Sequence, residues 1–174
     1  MISDLRQHFN NSFSADVYDR YLKELESLFP GHLDFRIAET PAFIPRWFSD
    51  QMLQTCEAMI DVITAPDYLK QTERAIPPQF YVPNEDQHPQ FIAFDFGICE
   101  IEDGKLEPQL IELQAFPTLF AWHALMPETF SKHFSVPANF SPYLNGFHKE
   151  EYLRLLKEII LGYEAPQHVV LLEI

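Results

Sequence analysis

The chain has 174 residues, 47% hydrophobic and 22% charged, the balance of a globular protein of about one domain, which excludes a disordered or fibrous chain. Its 12 Lys and Arg stand against 26 Asp and Glu, a formal charge of −14. Such a surface repels phosphate backbones and anionic bilayers, so neither nucleic acid nor a membrane is an expected partner.

In chain order, Ser14 is placed to cap a helix whose stripe is Val17, Tyr21, Leu22, Leu25 and Leu28, ending at Pro30-Gly31. An extended, proline-punctuated segment, Leu33 to Arg46, follows. Ser49 is then expected to cap a second helix with Met52, Leu53, Cys56, Met59, Ile60 and Ile63 on one face. Pro66 suits the first turn of a short third helix through Tyr68 and Leu69, and Ile76-Pro77-Pro78 forces the chain out of helix into a long loop to Pro89. Phe91 to Ile101 is the clearest strand, and Glu102-Asp103-Gly104 turns it into a second, Leu106 to Ala115. A helix carrying Leu119, Trp122, Leu125 and Met126 is expected to break at Pro127, with an irregular crossing to Gly146. The last helix, His148 to Leu161, turns Tyr152, Leu153, Leu155, Leu156, Ile159 and Ile160 inward, and Gly162 supplies its C-terminal cap. The fold class is therefore α+β: helices packed on a mainly antiparallel sheet with a central hairpin, 1–75 mainly helical, 91–115 the hairpin and 148–174 a helix then a strand.

That final apolar run, Val169 to Ile174, reads as a buried strand, which more chain normally covers, or as a plain edge strand. On the first reading the 174 residues are the N-terminal portion of a longer protein. The start, Met1 to Arg6, has no basic region followed by an apolar stretch, and no run approaches the roughly 18 to 20 apolar residues of a membrane span, so a cytoplasmic location is expected. Cys56 and Cys99 form no C-x-x-C and are expected to be buried thiols, and the seven histidines never recur at the spacing that pairs two imidazoles on one helix face.

The chemistry is concentrated in the hairpin. If Asp103-Gly104 makes a two-residue type I′ turn, Glu102 pairs with Lys105, and counting back sets Asp95 opposite Glu112. Opposed residues share a face about 4.5 to 5.5 Å apart at Cβ, and Gln114 joins them two positions along. Three oxygen-bearing side chains in apolar surroundings, two of them like charges, call for a compensating hard cation such as Mg²⁺. An exposed hairpin face of ordinary polar residues is the alternative, and Pro108 within the second strand requires a bulge or an edge.

The stretch Phe94-Asp95-Phe96, then a hairpin, then Leu110-Ile111-Glu112-Leu113-Gln114-Ala115-Phe116-Pro117-Thr118 resembles the "R-x-D-F … L-hydrophobic-E-x-N-A-D-x-P-T" signature of the glutathionylspermidine synthase branch of the ATP-grasp ligases, a circularly permuted family. The resemblance implies ATP-dependent joining of a carboxylate to an amine through an acylphosphate, with Asp95, Glu112 and Gln114 as the ligands of the Mg²⁺ that bridges the ATP phosphates. The chain departs from it in carrying Gln for Asn, in lacking the Asp before the Pro, and in having Ala93 or Phe94 for the Arg. Its five glycines and dispersed lysines form no phosphate-gripping loop, so the nucleotide-gripping half is expected beyond Ile174 and the chain alone is expected to be inactive.

Two other readings compete. A PD-(D/E)xK-type nuclease also sets an Asp opposite an E-x-K or E-x-Q to bind Mg²⁺, but a chain of net −14 offers no groove for a phosphate backbone. The other is a non-catalytic acidic interaction or regulatory domain. Arg46 and Arg74, near loop boundaries, are candidates to clamp the carboxylate of a small-molecule or peptide-like substrate, or else to form surface salt bridges. Tyr81 and Trp122 are candidates to line a pocket beside the hairpin, or else core.

Overall fold

The structure, a computed structural model, describes residues 1–84, 89–115 and 119–170, with the backbone alone at Leu69. It is α+β: helices α1 (Ser3–Ser12), α2 (Ala15–Leu28), α3 (Arg46–Ile63) and α4 (Tyr68–Thr72), an antiparallel pair β1 (Ala93–Glu100) and β2 (Leu106–Gln114), then α5 (Trp122–His133) and α6 (Lys149–Leu161). The contacts divide into two compact units. The first comprises Met1 and residues 44–117, the second residues 2–43 and 118–174.

The second unit holds the larger apolar core. α1 is not foreseen in the sequence reading, yet Leu5, Phe9 and Phe13 recur every four residues, and Phe9 is buried. In α2 the expected stripe is present, with Tyr21 and Leu25 fully buried. Ser14 occupies the position before the helix and its carbonyl accepts from the Val17 and Tyr18 amides, although its hydroxyl makes no cap bond. The extended segment is tied down by backbone groups: Tyr18 Oη donates to the Ile37 carbonyl at 2.6 Å, and the Ile2 amide to the Phe43 carbonyl at 2.7 Å.

Pro127 does not break its helix. α5 runs through it to His133, because Phe130, beyond it, is buried with Phe134 against Phe9, Tyr21 and Leu25. Burying side chains of this size yields about 1.5 to 3 kcal/mol each, which offsets the roughly 3 kcal/mol that an interior proline costs. Phe130 and Phe134 stack at 4.6 Å, and Tyr21 meets Phe130 edge-on at 5.5 Å. α6 begins where expected, the His148 amide donating to Glu151 Oε2 at 3.1 Å, and Gly162 closes it with a φ of 55°. Its apolar face is not buried as expected. Leu153, Leu155 and Ile160 are exposed, and Tyr152, Leu156 and Ile159 only half-buried. Of the expected terminal strand, Val169 and Val170 form no strand, and the remainder lies outside the described residues.

In the first unit α3 starts three residues before Ser49, after Pro45, whose extended backbone, φ −74° and ψ 156°, sets the N-cap. Ser49 lies inside the first turn, where its hydroxyl donates to the Arg46 carbonyl at 2.8 Å. The expected stripe from Met52 to Ile63 is half-buried, and α3 packs on β2.

Candidate functional site

The hairpin that carries Asp95, Glu112 and Gln114 has its β-formers, Phe94, Phe96, Ile98 and Ile111, on two strands joined by one turn. Asp103 and Gly104 both take positive φ, 63° and 72°, as a type I′ turn requires, and the Lys105 amide reaches the Glu102 carbonyl at 3.5 Å. The ladder, however, does not start at that pair. The Ile101 amide donates to the Lys105 carbonyl at 2.8 Å, so Glu102 is left out and every pair from Glu100↔Leu106 to Phe96↔Leu110 is one residue out of the expected register. An irregularity between Asp95 and Phe96 then absorbs Ile111 as an extra residue. Beyond it the register is the expected one, with Asp95 opposite Glu112 and Ala93 opposite Gln114.

The three side chains are thus brought to one end of the hairpin, away from the turn. The Gln114 side-chain amide donates to Glu112 Oε1, which holds the two residues of β2 together and orients the carboxylate. Their surroundings differ from expectation. Asp95 and Glu112 are exposed and Gln114 half-buried, because the sheet has two strands and its apolar neighbours Leu110, Ile111 and Leu113 are themselves exposed. Water screens two exposed carboxylates, so their repulsion does not by itself demand a cation. What remains is the chemistry of the donors: two carboxylates and an amide oxygen form an all-oxygen set, the set Mg²⁺ takes together with waters and phosphates. Among the described residues no cluster of three or more His, Cys, Asp or Glu is poised around one ion. The signature's final residues, Phe116-Pro117-Thr118, lie outside the described residues.

Arg46 opens α3 and Arg74 lies in a single 3₁₀ turn, Glu73–Ala75; both are exposed, and neither forms an ion pair among the described residues. Tyr81 is 71% exposed, and Trp122 belongs to the second unit, where it packs edge-on against Phe35 at 5.7 Å. Cys56 and Cys99 are free and half-buried rather than buried, and burial pushes the Cys56 thiol up. No helix among the described residues is long and apolar enough to cross a membrane.

A polar cluster in the second unit carries no sequence signal. Glu24 on α2 receives Lys132 Nζ at 2.8 Å and His133 Nε2 at 2.7 Å from α5. Hydrogen bonds from Lys132 first, then His133, hold the Glu24 carboxyl below its ordinary range. Beside it Tyr21 Oη is buried with no partner among the described residues. Residues more than a hundred positions apart make these contacts, so no local spacing could announce them.

Compared with protein-family models, curated proteins and solved structures, the chain matches none.

Proposed function

We propose that the hairpin is the cation-binding element of an ATP-dependent carboxylate–amine ligase of ATP-grasp type, to which this chain contributes the metal ligands and substrate-side elements but not the nucleotide grip. The observation that carries the reading is the pairing of Asp95 with Glu112, with Gln114 on the same face. In such an enzyme Mg²⁺ supplies charge neutralisation for the phosphates. The chain's own part is to hold two carboxylates opposite each other on a strand pair and, through Gln114, to orient one. Arg46 and Arg74, exposed guanidiniums, are each candidates for a bidentate hold on a substrate carboxylate.

The test is thermal melting across a Mg²⁺ or Mn²⁺ titration. At ten times its dissociation constant a cation stabilises the folded state by about 1.4 kcal/mol, a rise in Tm of roughly 3 to 6 °C. Asp95→Asn and Glu112→Gln are expected to abolish the rise while leaving the metal-free melt in place. An unchanged melt up to 10 mM cation in the native sequence would refute the reading. The exposure of both carboxylates favours the alternative of a non-catalytic acidic interaction domain, for which that flat titration is the expected result.

A further inference from the structure

We propose that the second unit carries a binding pocket for an uncharged, mainly apolar small molecule bearing a carbonyl or ether oxygen. The cavity holds about 630 Å³ and is walled by residues 37, 38 and 40–43, part of α5 and the crossing that follows it. That volume lies within the roughly 300 to 1,000 Å³ of small-molecule sites.

Its floor is Phe43, Phe130 and Phe134, which also belong to the core and are therefore fixed in place. Phe140 closes one side, edge-on to Phe43 at 5.5 Å. The walls are stiff: Pro41, Pro127, Pro137 and Pro142 all line the cavity, and a fixed φ at each restricts collapse when it is empty.

Charge and hydrogen-bonding capacity define the occupant. In a chain of formal charge −14, no described residue lining this cavity is ionisable. The nearest guanidinium, Arg6, spends Nη1 on the Pro41 carbonyl at 3.4 Å, and the lining itself supplies no counter-charge, so a neutral ligand fits better than an anion. The hydroxyls at the wall differ in what they offer. Ser131 is committed to the Pro127 carbonyl at 2.7 Å. Ser141 Oγ accepts from the Tyr143 amide at 3.1 Å, which leaves its own proton to donate, and Thr40 and Ser135 add two further hydroxyls. Donors on an apolar wall complement an acceptor oxygen on the ligand. The inference stands apart from the hairpin, since every lining residue belongs to the second unit.

The probe is 6-propionyl-2-(dimethylamino)naphthalene, neutral, carbonyl-bearing and fluorescent in apolar sites, compared with 1-anilinonaphthalene-8-sulfonate, an anionic naphthalene of similar size. Saturable one-to-one binding of the neutral dye is expected, at least about tenfold tighter than the anionic one. Ala138→Trp is expected to fill the cavity from the crossing and weaken binding about tenfold or more, with the far-UV spectrum and melt unchanged. Ala42→Trp repeats the test from the opposite wall should the first variant fail to fold. Equal affinity for both dyes, binding indifferent to the folded variants, or a dimer by light scattering that excludes the dye would overturn the proposal. The last outcome would make a second copy of the chain the occupant.

Discussion

Replacing Tyr21 by Phe removes one atom, and the structure specifies what should follow. The residue is 0% exposed and its hydroxyl has no hydrogen-bond partner among the described residues. Leaving such a group unsatisfied costs about 1 to 3 kcal/mol. The ring's edge-on contacts with Phe130 at 5.5 Å and His133 at 5.9 Å survive the change. Allowing somewhat under 1 kcal/mol for the small void left behind, Tyr21→Phe should stabilise the protein by about 1 kcal/mol at pH 7, or roughly 2 to 4 °C in Tm.

A second consequence depends on pH and acts in the same direction. Burial pushes the Tyr21 phenol up from 10.0 to about 12. Between those values the unfolded chain has released this proton and the folded chain still holds it, so stability falls by about 1.4 kcal/mol per pH unit. The contribution is complete below pH 10, and about 2 to 3 kcal/mol of it is gone by pH 12. Phenylalanine cannot titrate, so the gap between variant and native protein should widen steadily above pH 10. Urea unfolding at pH 7 and at half-unit steps from 9.5 to 11.5 measures both effects. A variant less stable at pH 7 would show that the hydroxyl is satisfied, and parallel alkaline limbs would show that it is not buried in the neutral form.

Two further substitutions probe the same unit. Glu24→Gln should lower Tm at pH 7 by removing the charge and one of the two oxygens that Lys132 and His133 engage. Because the folded carboxyl lies below its ordinary 4.5, its contribution is present above that value and lost as pH falls through the folded pKa. The gap between the melting curves of the two proteins should therefore narrow as pH falls below 4.5, and a gap that does not narrow would mean the loss is one of packing. Phe130→Ala, at a site 7% exposed and stacked on Phe134, should cost about 3 to 5 kcal/mol in urea unfolding with the slope of the transition unchanged. A cost under 1 kcal/mol would remove this residue from the core.

The α+β class and most element positions could be read from the chain because they rest on local signals: the stripes of α2 and α3, the Asp103-Gly104 turn, and Gly162 after α6. What could not be read depends on distant contacts. Pro127 is a breaker by every local rule, and it is overruled by Phe130 and Phe134 finding Phe9, Tyr21 and Leu25. α3 begins early because Pro45, not Ser49, sets its start. The pairing of Asp95 with Glu112 is the expected one, but by a route the sequence hides: Glu102 drops out of the ladder at the turn and Ile111 is absorbed beyond it, so two shifts cancel. The burial of that pair could not be read either, since periodicity says which face a residue occupies but not what covers it.

The division of the chain also orders events in time. The second unit is made of residues 2–43 and 118–174, and its central contact joins α2 to α5 across the whole of the first unit. At about 5 to 20 residues per second, on the order of 5 to 20 s of synthesis separates α2 from its partner. Throughout that interval Tyr21 and Leu25, both fully buried at the end, have no α5 to cover them. The intervening residues 44–117 can meanwhile fold on contacts of their own, and a collapsed insert shortens the loop that the second unit must close. A nascent chain of this protein therefore leaves a short apolar helix face uncovered for seconds, an interval set by synthesis rather than by the folding of the helices themselves.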